Sequence, residues 1–233
     1  MQGIRAGCIT SAVLTILAGI IIVIAGASIS SKNTPYRDYW PELYSLPIYA
    51  AVVGGLAIIL SAGLLYVITR QFPALTTVVS IGLIVVAILA LISGALDIAG
   101  RAHIRSRTLN TTKYLVSNFY ANNSDTQEVY NRLQQTYKCC GIIDAFDWSK
   151  LDPTTSSVPD SCCIKMSPGC GYNQLVQQNH IYLSGCAEIV GNAYSLHYAT
   201  LIVFSFLVMV FCITEAITGF LFESHIRQRY ELM

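Results

Sequence analysis

Residues 74–96, ALTTVVSIGLIVVAILALISGAL, decide the fold, because the whole stretch is apolar or small and carries no charge. At 1.5 Å rise per residue, about 20 helical residues cross the roughly 30 Å hydrocarbon core of a bilayer. Inside lipid each backbone N–H and C=O must find a partner within its own segment, so such a run is a helix. Three further runs match it: residues 8–29 and 48–68 are uncharged, and residues 198–222 hold one carboxylate, Glu215. The first-quoted run closes on Asp97, which sets the span at 74–97. A buried helix of a soluble protein is the alternative, but such helices are usually shorter and amphipathic. The runs predict an all-α membrane protein with four transmembrane helices.

Composition agrees. Of 233 residues, 54% are hydrophobic and 12% charged, with a net charge of +1. Soluble domains carry roughly 25% charge. A near-neutral chain has no electrostatic footprint for a phosphate backbone, so nucleic acid is not an expected partner. The histidines, His103, His180, His197 and His225, are scattered over separate regions. No carboxylate pair, nucleophile motif or phosphate loop accompanies them, so neither an enzyme nor a metal centre nor a bound cofactor is expected. Asp144, Asp147, Asp152 and Asp160 read as a solvated surface, with a calcium site as the alternative. At the other end, Arg5, the first run and Ala25-Gly26-Ala27 imitate a signal peptide with its cleavage site. The run is longer than a usual signal core, which favours a retained span.

The spans divide the rest of the chain into residues 1–7, a small loop 30–47, a tight turn 69–73, a large loop 98–197 and a tail 223–233. Both ends then share one side with the turn, and both loops share the other. Positive charge does not choose between sides. Arg5, Arg70, Arg227 and Arg229 stand against Lys32, Arg37, Arg101, Arg105 and Arg107. Cysteines and glycosylation signals do choose. Six of the eight cysteines (Cys139, Cys140, Cys162, Cys163, Cys170 and Cys186) lie in the large loop with two sequons, at Asn110 and Asn122. Together they imply an oxidising, extracellular or lumenal compartment, and hence cytosolic termini. Spacing does not select one of the fifteen pairings of six cysteines. Zinc is the alternative use of the thiols, with His180 the one histidine in the Cys-rich stretch. A loop of this size cannot bury a large core, so staples are expected. Helical patterns cover residues 98–120 and 125–138, the latter with Val129, Leu133 and Tyr137 on one face. Residues 185–196 lead into the last span, and 141–171, with Pro153, Pro159 and Pro168, read as stapled loop.

Glu215 lies seven residues from Phe222, about 10 Å into the bilayer. A carboxylate there is costly and needs a partner or a role. Thr15, seven residues after Cys8, reaches a similar depth from the same side. The pair is expected to hydrogen-bond, either joining helices or facing a lipid. Small residues such as Ala51 with Gly55 and Ala90 with Gly94 suit close helix contacts. The last four residues, Tyr230, Glu231, Leu232 and Met233, have the Y-x-x-Φ form. Such a peptide binds extended, with pockets for the ring and for the apolar residue. Extended, it reaches up to about 26–29 Å beyond Phe222, within range of a membrane-docked clathrin adaptor complex. Residues 130–133 and 198–201 also fit, but one copy is lumenal and the other lies in a span.

Cys139-Cys140-Gly141, Pro159-Asp160-Ser161-Cys162-Cys163 and Gly185-Cys186, placed in the large second loop of a four-span chain, resemble the tetraspanin family. The resemblance implies the pairs Cys139–Cys186, Cys140–Cys162 and Cys163–Cys170. It implies a variable part, roughly residues 141–186, that contacts other membrane proteins such as integrin-like receptors and other tetraspanins. It also implies a sterol or other membrane lipid in the intramembrane cavity. Residues 158–171, VPDSCCIKMSPGCG, and the last four residues resemble family members of late endosomes and lysosomes. A scaffold that helps partners traffic between the plasma membrane and those compartments is the implied function. A surface-resident adhesion or signalling tetraspanin is the alternative. A channel or transporter is the other, and it would need more intramembrane polar residues than these. The chain departs from the family pattern in three places. Thr15 and Ser11 stand where the first span often has Asn, and Ser93 where the third often has Glu. Cytosolic cysteine clusters are missing, which leaves Cys8 as the candidate for palmitate, with Cys212 inside the last span.

Overall fold

The structure is a computed structural model and describes residues 2–70, 72–120, 124–151 and 156–231. Seven α-helices follow in chain order: α1 (Gln2–Asn33), α2 (Pro41–Arg70), α3 (Pro73–Ser117), α4 (Ser124–Tyr137), α5 (Asp147–Leu151), α6 (Gln174–Gln177) and α7 (Cys186–Glu231). Short 3₁₀ turns lie at Thr34–Tyr36 and Asp160–Cys162. Among the described residues β structure is limited to isolated bridges, Asp144 with Ser184 and Cys163 with Ile181. The chain forms two compact units, one of residues 1–37, 41–99 and 198–233, the other of residues 38–40 and 100–197.

Four helices, α1, α2, α3 and α7, are long and apolar enough to cross a membrane, and the first unit holds α1, α2, α3 up to residue 99 and α7 from residue 198. Its core is made of Ala57, Leu64, Leu83, Ala90, Leu201 and Val208, all buried. Its outside is equally apolar: Ile24 is 62% exposed, Ile59 67% and Val78 65%. Water would penalise that surface and lipid does not, so the burial pattern itself calls for a bilayer. Helix α1 meets α2 through glycines. A Cβ on Gly26 would lie 2.4 Å from the Pro47 carbonyl oxygen, and one on Gly19 would lie 3.0 Å from that of Gly54.

Much of residues 30–47 has helical backbone. Helix α1 runs on to Asn33 and α2 already begins at Pro41. Proline suits the first helical position, because its missing N–H would be unpaired there anyway. Pro47 is different, since it lies inside α2 and cannot donate to the carbonyl four residues back, at Leu43. The side chain of Asn33, 2% exposed, donates to that carbonyl instead, at 3.1 Å.

The second unit is built on α4, the last two-thirds of the large loop and the parts of α3 and α7 within residues 100–197. Helix α4 buries Thr126, Tyr130, Leu133 and Gln134, spaced at i, i+4, i+7 and i+8 as an amphipathic helix requires. The i, i+4 pattern of the sequence centres this face on Val129, Leu133 and Tyr137. Val129 and Tyr137 are only half-buried, because the polar Gln134 is drawn inward by the partners described below. Phe119, Tyr130 and Trp148 pack edge-to-face or tilted, with Trp148 5–6 Å from the other two rings, 4.9 Å to Phe119 and 6.0 Å to Tyr130.

Candidate functional site

Within the membrane unit one buried carboxyl ties three helices together. Glu215 of α7 is fully buried, and so are Thr15 of α1 and Ser61 of α2. The Thr15 hydroxyl donates to Glu215 Oε1. The Ser61 hydroxyl donates to the same oxygen at 3.2 Å. Glu215 Oε2 has no hydrogen-bond partner among the described residues. Ser61 was missed in the sequence, although it is a lone hydroxyl in the middle of an uncharged run. Gly219, one turn after Glu215, faces Ser80 of α3 so closely that a Cβ there would lie 2.3 Å from the hydroxyl. Further along α7, Glu223 accepts a hydrogen bond from Thr77 and pairs with Arg227 at 2.7 Å.

The other residues singled out from the sequence are spread over both units. Cys8 and Cys212 are free thiols, and both are buried. Cys8, the palmitate candidate, is 1% exposed. Of the small-residue pair Ala51 and Gly55, Ala51 approaches Gly26, while Gly55 has no neighbour within 4 Å of a built Cβ. Gly94 packs against Phe206 instead of a helix backbone, with 3.1 Å to the ring. Asn110 is exposed on α3, and Asn122 lies outside the described residues. Helix α7 runs to Glu231, so Tyr230 and Glu231 have helical backbone where the sequence suggested an extended tail. Leu232 and Met233 lie outside the described residues.

In the loop unit three disulfides join Cys139 to Cys186, Cys140 to Cys162 and Cys163 to Cys170. All six sulfurs are thereby consumed, which leaves no thiolate for the zinc alternative. The residues of the motif explain themselves locally. Gly141 has φ +72°, and a Cβ there would meet the Asp144 carbonyl oxygen at 1.9 Å; only glycine fits such a position. Its own carbonyl accepts from the buried Tyr130 hydroxyl at 2.7 Å. Burial, with the Asp147 charge adding to it, pushes the Tyr130 phenol well above its ordinary pKa. The Ser161 hydroxyl lies 2.6 Å from both the Asn131 and the Gln134 side-chain oxygens of α4. Gln134 also reaches the Cys162 sulfur at 3.2 Å.

Two of the four aspartates are not solvated surface. Asp147, 5% exposed, accepts the amides of Ile142, Ile143 and Asp144 at 3.0, 2.7 and 3.2 Å. Its other oxygen meets Lys150 at 2.7 Å. Asp160 accepts the amides of Gly169 and Gly171 at 2.8 and 2.9 Å and so closes the Cys163–Cys170 loop. The sequence does not reveal this, because short acidic side chains near turns look alike whether they face water or backbone. Asp152 lies outside the described residues. Above these bonds the loop displays apolar side chains: Ile164 is 54% exposed, Met166 60%, Tyr172 78% and Val176 68%. Ile164 and Tyr172 edge a recess of about 520 Å³ with Lys165, Gln174 and His180.

Four membrane-crossing helices with a disulfide-stapled unit between the third and fourth define a four-span membrane protein of a particular architecture. The chain belongs to the tetraspanin family, whose sequence model matches residues 4–226. It is 34% identical to the human CD63 antigen over 112 residues, 46% of either chain. Against the bovine CD63 antigen it is 27% identical over 174 residues, 73% of this chain and 70% of that one. Human Tetraspanin-9 matches at 35% identity over 69 residues, 30% of this chain and 27% of that one. The match to human CD63 thus spans about half the length of that protein.

Proposed function

We propose that this tetraspanin organises other membrane proteins laterally and accompanies them between the plasma membrane and late endosomes and lysosomes. The observation that carries the proposal is the exposed apolar surface at Ile164, Met166, Tyr172 and Val176. Exposed apolar side chains, two of which (Ile164 and Tyr172) edge one recess, suit a contact site, and a backbone already tied by disulfides loses little freedom on binding. Integrin-like receptors and other tetraspanins are the partners such a surface suits. The likeness to the CD63 antigen supports the endolysosomal destination. The Y-x-x-Φ residues Tyr230 to Met233 support sorting by a clathrin adaptor complex on the cytosolic side, with both termini cytosolic. Glycans on Asn110 and Asn122 would then share the compartment of the disulfides. Glu215 serves here as a helix joint, because Thr15 and Ser61 both direct their hydroxyls at one of its oxygens. A sterol or lipid held in the cavity is the second reading, favoured by the unpartnered Oε2.

Crosslinking in native membranes tests the scaffold role. Replacing Ile164, Met166, Tyr172 and Val176 by Ser should reduce captured membrane proteins severalfold and leave endolysosomal delivery intact. Tyr230→Ala should do the reverse, keeping the partners and raising the surface pool severalfold. Unchanged capture by the first variant sinks the contact surface. An unchanged distribution of the second refutes the sorting signal.

A further inference from the structure

The arginines that follow the third span lie on the side where such charge is not expected. Helix α3 continues without a break from Pro73 to Ser117, and residues 98–117 contain three arginines, a lysine and a histidine but no acidic residue. Arg101 and Arg105 are both exposed. They stand at i and i+4, so their side chains lie one above the other on a single flank. Arg101 Nε donates to Ser195 of α7 at 3.2 Å, which fixes its guanidinium and leaves the terminal N–H groups. Neither guanidinium forms an ion pair among the described residues. Glu188 of α7 lines a recess with Arg105 but forms no ion pair with it, and like charges at the i, i+4 spacing repel, so the two guanidinium groups have room for an anion.

Position names the anion. Arg101 and Arg105 lie five and nine residues past Leu96, about 8 and 14 Å along the axis. The headgroup layer extends roughly 5–8 Å beyond the hydrocarbon core. Helical side chains lean toward the helix N-terminus, and in α3 that end is the spanning segment. Arg101 thus starts at the outer edge of the headgroup layer, and Arg105 starts about 6 Å beyond it, a gap that an arginine side chain leaning toward the span can bridge. Leu196, beside the Ser195 that Arg101 engages, is 70% exposed, which suits an interface better than open water. A guanidinium presents parallel N–H groups that match two phosphate oxygens.

We propose that Arg101 and Arg105, with Ser195 positioning the first, bind the phosphate of an acidic phospholipid in the leaflet on the large-loop side. The proposal rests on family membership and its four-span topology, and is independent of the trafficking role. Spin-labelled phosphatidylglycerol tests it, with full-length protein in phosphatidylcholine vesicles and the labelled lipid confined by exchange to the leaflet facing the large loop. The protein should immobilise it in preference to labelled phosphatidylcholine. Arg101→Gln/Arg105→Gln should reduce that preference by up to about fivefold for each charge removed. Arg101→Lys/Arg105→Lys, which keeps the charge, should retain most of it. An unchanged preference in the Gln variant overturns the site. Equal loss in the Gln and Lys variants overturns it in favour of a packing defect. Suppression of the wild-type preference by inorganic phosphate overturns the lipid assignment in favour of a free anion.

Discussion

Asp147 shows how much one side chain organises in the loop unit. Three amides converge on its Oδ2, and Lys150 occupies Oδ1 at 2.7 Å. Burial alone would raise its pKa. The Lys150 hydrogen bond, the Ile143 and Asp144 amides and the Lys150 charge outweigh burial and hold it below the ordinary 3.8. Asp147→Asn keeps the shape but must turn an NH₂ toward either the amides or Lys150. The expected cost is about 1.5–3 kcal/mol, the range for hydrogen bonds to a charged group. Thermal unfolding followed by the environment of the buried Trp148 reads it. A group with a depressed folded pKa stabilises above its unfolded pKa and loses that contribution as pH falls through the folded one. The gap between wild type and variant should therefore be constant from neutral pH to about 5 and close only below 3.8. A gap that closes near neutrality would contradict the assignment of this charge.

At the scale of elements, the helices were legible because each is a long uncharged run, but their register was not. The sequence supplies adjacent glycines, Gly54 and Gly55, and small-residue reasoning chose Gly55. The structure turns Gly54 toward α1, where a Cβ would lie 3.1 Å from the Gly19 carbonyl oxygen. One residue is a 100° rotation of the helix, and neither composition nor spacing resolves it. What fixes the register is Gly26 against Pro47, where a Cβ would come within 2.4 Å of a backbone oxygen that no rotamer can move. Gly26→Val should separate α1 from α2 and cost about 1–3 kcal/mol or more, as overpacking does. Gly55→Val should be nearly silent, because nothing lies within 4 Å of its Cβ position. Melting of the detergent-purified protein distinguishes them, and equal melting of the two variants would refute this helix contact. The Glu215 joint was half legible for the same reason. Depth counted from the span ends paired it with Thr15, whereas Ser61 enters only through the rotation of α2.

For the molecule as a whole, the large loop depends on its disulfides to different degrees. Spacing left fifteen pairings open, and the pairs came from family resemblance, so their energetic ranking has to come from the structure. Cys139–Cys186 closes a sequence separation of 47, Cys140–Cys162 one of 22 and Cys163–Cys170 one of 7. By loop-closure entropy these contribute about 4, 3.4 and 2.5 kcal/mol. Local bonds widen the difference. Around Cys163–Cys170, Asp160 already holds the Gly169 and Gly171 amides, and Ile164 N–H donates to the His180 carbonyl at 2.9 Å. Cys163→Ser/Cys170→Ser should therefore lower the melting temperature by only a few degrees and preserve the Trp148 signal. Cys139 and Cys186 are different, because they link the end of α4 to the start of α7 and both are fully buried. Replacing them by Ser removes the largest entropic constraint and puts two hydroxyls into an apolar interior. That variant should lose the Trp148 signal and protease resistance at 37 °C, while the spanning helices, whose backbone bonds are internal, keep their far-UV helicity. Equal tolerance of the two replacements would mean that side-chain packing around Trp148, and not the longest covalent loop, holds the unit together.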